Sequence, residues 1–554
     1  MIKTYNEAHS CLKTGYSKLL TQEVIAKLFV NDVRDDPTMM PKRIQKSIQD
    51  RWHLTATPDQ CRKAKKRALE MIQKEHDEQY SRMKDYRLEL LDSNDGSTVV
   101  LDTCEGSNGL DMFHRFYICF ANIRMAWCTY CRPIFGLDGC FMKGTSEGQL
   151  LAAVGRDANN QMYPIAWAVV DREDEDNWRW FIEKLQRDLS LRDGDGFTVI
   201  SDRQKGLLNA VSQLLPKVEH RMCARHIYAN LRKNHPHRAD MKSLFWKVAK
   251  SYNEAQYEKS LEKLKAYDMN VFNSVMQKNP KNCSLTFFKP TASCDDVSNN
   301  ISESFNHAID PARVMPLVEM LETIRRRAMI RIDLRRKKAM SHKGKYTLKA
   351  MEKLELEQKK TKNCKVIPCG VGEYEVKEKK SSFKVYMEKH SCTCRRWDMS
   401  GLPCRHALKV ILDNKKLKKD DYISSCYLTS RWRNQYNAFI KGVRGMNFWK
   451  KSGEIELLPP KTDTTKGRKP IPKRIKERNE SPQKKKKKTM DSKTNEIKVS
   501  REKRIIHCGS CGEAGHNTRS CKNVGVIPPK KSKGKTTKDG CEGPSQPTQS
   551  QVID

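Results

Sequence analysis

Leu19, Leu20, Val24, Ile25, Leu28 and Phe29 recur at the three- and four-residue intervals that place apolar side chains on one face of an α-helix, and such helical patterns run from residue 12 to about 90. From about 115 to 235 the pattern changes. Short apolar runs at 134–142, 150–156, 163–170 and 198–201 predict strands, and amphipathic stretches at 177–189 and 206–215 predict helices. The order is three strands, a helix, a strand and a helix, with a fifth short strand at 218–222. Residues 226–290 are again helical and charged, and 298–340 carries a long basic helical pattern containing Arg325-Arg326-Arg327 and Arg335-Arg336-Lys337-Lys338. Beyond about 455 the periodicity is lost and Pro, Lys, Ser and Thr accumulate, with an unbroken lysine run from Lys484 to Lys488. Such a tail cannot bury enough surface to offset its chain entropy.

A chain of 554 residues exceeds one ordinary core, so several folding units are expected. Its formal charge of +39 predicts attraction to a polyanion, nucleic acid before membrane surface. No apolar window is long enough for a transmembrane helix and the first residues lack a secretory hydrophobic region, which predicts an intracellular protein without membrane contact. In a reducing compartment the 20 cysteines are better read as metal ligands where they cluster and as small buried hydrophobes where they scatter.

Three carboxylates carry the candidate chemistry. Asp138 ends the apolar run that begins at Pro133, Asp202 follows Phe197-Thr198-Val199-Ile200-Ser201, and Glu303 lies in the helix-like stretch Asn300-Ile301-Ser302-Glu303-Ser304-Phe305-Asn306. Two strand ends and one helix face can converge on a point where carboxylates hold a pair of divalent ions for phosphoryl transfer. Any one of these acids alone reads as a turn or helix cap. Together, Asp138-Gly139-Cys140-Phe141-Met142-Lys143-Gly144, Ser201-Asp202-Arg203-Gln204-Lys205-Gly206-Leu207 and Asn299 to Asn306 resemble the three catalytic blocks of Mutator-like element transposases, the plant MULE or MuDR family, over roughly residues 90–450.

That resemblance implies an α/β fold. A ribonuclease H-like DDE core at 115–340 would contain an all-helical insertion at 226–295. The helical unit at 12–100, with its basic segment Arg62 to Arg67, reads equally as a DNA contact or as helices packing onto the next domain. The resemblance further implies DNA cleavage and strand transfer, with Asp138, Asp202 and Glu303 as catalytic residues and as ligands of Mg or Mn. Transposon ends and target DNA would be the partners, in a nuclear homo-oligomer. The alternative within the same ancestry is a domesticated, non-catalytic DNA-binding transcription regulator, like the far-red light-response regulators. Cys223-Ala224-Arg225-His226 is similar to the family's Cys-x-x-His motif, and two ligands alone do not close a zinc site. Trp178, Trp180 and Phe181 resemble a family helix, although their spacing is that of a packing face.

Two further clusters predict two structural zinc ions. Cys392, Cys394, Cys404 and His406 offer three thiolates and an imidazole, the tetrahedral set of a closed zinc site. They resemble the SWIM finger, here spanning 381–412 with a helical extension at 413–455. Cys508, Cys511, His516 and Cys521 have the spacing of a CCHC zinc knuckle at 506–523, a module for single-stranded nucleic acid. Basic disordered segments are expected at 456–505 and 524–554. Gly467-Arg468-Lys469-Pro470 resembles a degenerate AT-hook beside a nuclear-import signal. Residues 1–11, with His9 and Cys11, resemble the end of a WRKY/GCM-like zinc domain and are expected to be its remnant.

Overall fold

The computed structural model describes residues 15–106, 109–143 and 148–460. Four helices lead: α1 (Gln22–Asp35), α2 (Pro41–Trp52), α3 (Pro58–Ser81) and α4 (Met83–Ser93). Their first three share a core of Ile25, Phe29, Ile44, Ile48, Ala64 and Ile72. Thr57 starts α3 with a reciprocal capping box, its hydroxyl taking the Gln60 N–H while the Gln60 side chain takes the Thr57 N–H, and Pro58 follows at the first turn.

A seven-stranded sheet comes next, in the spatial order β1-β2-β5-β4-β3-β6-β7. Its strands are β1 (Thr98–Glu105), β2 (Asp111–Cys119), β3 (Ile134–Phe141), β4 (Gln149–Arg156), β5 (Met162–Val170), β6 (Thr198–Ser201) and β7 (Glu219–Met222), with helices α5 (Ala121–Tyr130), α6 (Glu175–Asp188) and α7 (Lys205–Leu214) between them. The neighbours β5, β4 and β3 run antiparallel, whereas β3, β6 and β7 run parallel. All nine residues of β5 are buried, which explains why the segment reads as one apolar run instead of an alternation. Trp178, Trp180 and Phe181 of α6 are buried against this sheet, so their packing reading holds.

Past β7 lies a run of helices, α8 (Ala224–Asn234), α9 (Met241–Ala249), α10 (Glu254–Tyr267) and α11 (Met269–Met276), with a core of its own built on Ile227, Leu231, Phe245, Val248, Leu264 and Val271. Then come α12 (Asn300–Ala308), α13 (Leu317–Ser341) and α14 (Leu348–Gln358). A four-stranded sheet in the order β11-β10-β9-β8 follows, made of β8 (Cys364–Gly370), β9 (Glu373–Glu378), β10 (Ser381–Tyr386) and β11 (Ser391–Cys392). Helices α15 (Arg396–Ser400), α16 (Arg405–Asp413) and α17 (Thr429–Tyr436) close the described chain.

Three features depart from the periodicity reading. The hairpin β1–β2 widens the sheet beyond the five strands expected, because its mixed sequence lacks a clean alternation yet finds a partner in β5. The long pattern at 298–340 is two helices, interrupted by a short turn at Asp310–Val314 and by Pro311 and Pro316, which cannot donate a backbone hydrogen bond. Leu457 is buried and Leu458 pairs with the start of β2, its N–H donating to Asp111 and its carbonyl accepting from Phe113, within a stretch whose composition reads as linker. The result is a mixed α/β fold with helical regions and a small Cys/His cluster. The expected zinc-domain remnant at 1–11, the basic segments beyond 460 and the expected zinc knuckle of Cys508, Cys511, His516 and Cys521 lie outside the described residues.

Candidate active site and metal centre

Asp138 sits on the inner strand β3 and Asp202 directly follows β6. In the parallel β3–β6 register Gly136 faces Ile200, so two residues further along each strand the two aspartates come abreast. Burial first, and then the negative charge of Asp202, push the Asp138 carboxyl up to about 7, while His226 opposes the rise and Glu303 adds to it. Asp202 Oδ1 accepts the Gln204 N–H at 3.0 Å, which shapes the turn into α7.

Helix α12 crosses the sheet at this point because Gly136 leaves room for it. A Cβ at position 136 would fall on Asn299 Oδ1 and come within 2.5 Å of Ser302 Oγ. Asn299 Nδ2 instead donates to the Leu137 carbonyl at 2.9 Å, and Asn306 Nδ2 donates to Asp138 Oδ2 at 2.8 Å. Ile301, Ser302 and Phe305 face the sheet and are buried, while Glu303 and Asn306, three residues apart, share the side toward the aspartates.

Glu303 does not complete a carboxylate cage here. Its Oε2 is paired with the Arg225 guanidinium, whose other arm holds Asn300 Oδ1, and its Oε1 is buried without a protein hydrogen-bond partner. Among the described residues Glu303 shares a group with Cys223 and His226, whose ligand atoms and its own all lie within 4.8 Å of one another; Asp138 and Asp202 belong to no such group. The turn from β7 into α8 brings this about. The Ala224 N–H donates to the Val297 carbonyl at 2.8 Å and the Asn299 N–H to Cys223 Sγ at 3.2 Å, tying the start of α8 to the start of α12. A hydrogen bond with Cys223, outweighing burial and reinforced by nearby negative charge, lifts His226 to about 9.

The second cluster is compact. Cys392 ends β11, Cys404 precedes α16, and the ligand atoms of Cys392, Cys394, Cys404 and His406 lie within 4.8 Å of one another with all four side chains buried. His406 Nδ1 is 3.5 Å from Cys392 Sγ and 3.9 Å from Cys404 Sγ, against about 3.6 Å between sulfur and nitrogen ligands on an ideal tetrahedral zinc. The cluster fits zinc. His406 Nε2 meets Glu378 Oε2 at 3.1 Å, Arg405 holds Glu378 Oε1 at 2.9 Å, and Phe383 stacks on the imidazole at 4.2 Å between centroids.

Arg225, Asn299, Asn306, Gly136 and Glu378 were not singled out from sequence. Arg225 stands inside the Cys-x-x-His motif and both asparagines within the Glu303 block, so position hinted at them, but their partners are remote in the chain.

The MULE transposase domain profile matches residues 134–230, from β3 into α8, and the SWIM zinc finger profile matches residues 383–415. The first match takes in Asp138, Asp202, Cys223 and His226 and ends before Glu303. No curated protein matches the chain. The chain therefore contains a MULE transposase domain and a SWIM zinc finger, a combination consistent with a transposase-like, DNA-binding protein of the MULE/MuDR type.

Proposed function

We propose that this chain is a Mutator-like DNA transposase with a ribonuclease H-like core, in which Asp138, Asp202 and Glu303 form a DDE site for DNA cleavage and strand transfer. The observation that carries the reading is the abreast placement of Asp138, within β3, and Asp202, just past the end of the parallel neighbour β6, beneath the helix bearing Glu303. The antiparallel β5-β4-β3 followed by parallel β6 and β7, and the helical segment between β7 and α12, favour the same core.

Burial and the neighbouring Asp202 charge raise the affinity of the Asp138 carboxyl for a proton, and the same negative field attracts a cation, so an all-oxygen donor set for Mg or Mn fits there. When bound, such ions would lower the pKa of an attacking water or 3′-hydroxyl and stabilise the departing oxygen. Asn306 fixes the orientation of Asp138, and Asn299 holds α12 against β3. Glu303 joins the aspartates only after leaving Arg225. DNA would follow a groove of about 780 Å³ beside α12, whose rim carries Arg326, Arg331, Arg335 and Lys338 of α13. Arg325 is not part of that rim, being buried in a pair with Glu322.

In this reading the SWIM cluster holds one structural zinc and the knuckle a second, and the protein acts in the nucleus as a homo-oligomer on paired element ends. Among the described residues no helix is long and apolar enough to cross a membrane. The pairing of Glu303 with Arg225 favours a second reading, a domesticated DNA-binding regulator without catalysis. Excision of a reporter flanked by element ends separates the two. The transposase reading expects excision by the wild type and at least a hundredfold loss in each of Asp138→Asn, Asp202→Ala and Glu303→Ala. Equal excision by all four removes the catalytic assignment, and site-specific DNA binding with no excision by the wild type leaves the regulator.

A further inference from the structure

A set of softer donors lies beside the acids. Cys223 stands just before α8, His226 in its first turn and Glu303 on α12, with one ligand atom from each inside a 4.8 Å set. Sulfur, imidazole nitrogen and a single carboxylate oxygen are donors that select zinc over magnesium. We propose that Cys223, His226 and Glu303 form a zinc site distinct from the SWIM finger and from the two aspartates.

Three features of the surroundings are those of a prepared ligand set. Cys223 immediately precedes α8, and its sulfur accepts the Asn299 N–H at 3.2 Å, a contact that fixes the direction of the sulfur. Glu303 Oε1 is buried and has no protein hydrogen-bond partner, so this oxygen gives up nothing in turning to a cation; the Arg225 contact is on the other oxygen. His226 Nδ1 is likewise buried and unpartnered. Three protein ligands leave one coordination position, as in zinc sites that exchange a water or a substrate group.

The site bears on Glu303. A carboxylate engaged by zinc beside Cys223 and His226 cannot at that moment serve the aspartates, so the site would hold the third acid aside. The zinc site itself rests on local geometry alone and stands whether or not the chain transposes DNA.

The test is the zinc content of the purified full-length chain, measured by inductively coupled plasma mass spectrometry after dialysis against millimolar Mg²⁺. The wild type is expected to retain one equivalent more than the eight finger and knuckle ligands can bind. Cys223→Ser and His226→Gln are each expected to lose that one equivalent. In the cobalt-substituted protein, Cys223→Ser should lower the thiolate-to-cobalt absorption by the share of one sulfur. Wild-type content no greater than finger and knuckle account for overturns the proposal, as does unchanged content in the Cys223→Ser chain. A variant that unfolds loses the finger's zinc too, and the wild-type stoichiometry then decides alone. Because excision is not the readout, failure here is separable from failure of the DDE assignment.

Discussion

Asn299 occupies the space that a side chain at residue 136 would need: its Oδ1 lies too close to the position of a Cβ there for both to fit, and its Nδ2 donates to the carbonyl of neighbouring Leu137 at 2.9 Å. Gly136→Ala is therefore expected to push α12 off β3 or to distort it, costing about 1–3 kcal/mol by the usual scale of overpacking. Urea unfolding should report the loss, and an unchanged midpoint would show that α12 can shift without cost. Ser302→Gly in the same background should recover part of it, since Ser302 Oγ is the next atom in the way.

Glu378 steadies the finger's histidine. Its carboxylate faces His406 Nε2 at 3.1 Å, leaving Nδ1 for the metal cluster. Glu378→Gln is expected to weaken zinc retention by the finger roughly ten- to a hundredfold, the usual effect of losing such a support. Competition with a chromophoric chelator measures it, and equal retention would mean that the Phe383 stack alone orients the ring.

Arg225 competes with a divalent ion at the two aspartates for Glu303 Oε2. The pair is half-exposed on the arginine side, so its worth is at most about 1 kcal/mol. Arg225→Gln is expected to tighten Mn²⁺ binding by roughly two- to fivefold, read by the loss of free Mn²⁺ signal in electron paramagnetic resonance. Weaker binding would assign Arg225 a supporting role instead.

His220 makes stability depend on pH. Burial depresses its imidazole to about 4, and its Nε2 lies 2.7 Å from Ser201 Oγ. A histidine harder to protonate in the folded chain than in the unfolded one leaves stability intact above its unfolded value near 6.5. Stability then declines as pH falls from there to about 4, by on the order of 3 kcal/mol. Comparing thermal melts of the wild type and His220→Gln between pH 7 and 4.5 isolates this contribution; parallel curves would dismiss it.

The groove rim of α13 is expected to meet phosphates. Replacing both Arg331 and Arg335 by Gln should weaken duplex binding similarly for all sequences and reduce the slope of log affinity against log salt by about 2. An unaltered slope would move the DNA path elsewhere.

How much was legible depended on how local the cause is. The strands β3 to β7 and the helices α6 and α7 follow from runs whose period matches their burial, so spacing alone revealed them. The hairpin β1–β2 stayed hidden because its pairing with β5 is tertiary. The finger ligands were readable because four donors at short spacing have few other uses. Its support from Glu378, on a preceding strand, was not.

For the acids, sequence determined the candidates and the elements carrying them: an aspartate in one strand, an aspartate just after another, a glutamate on a helix. The parallel register of β3 and β6 then decided that Asp138 and Asp202 stand abreast. Only the docking of α12 over Gly136, together with the tie between α8 and α12, decided that Glu303 faces Arg225, Cys223 and His226. The physical reason is range. Periodicity and ligand spacing act over a few residues of chain, whereas the partner of a half-buried carboxylate is chosen by charges and donors that packing brings from far along it.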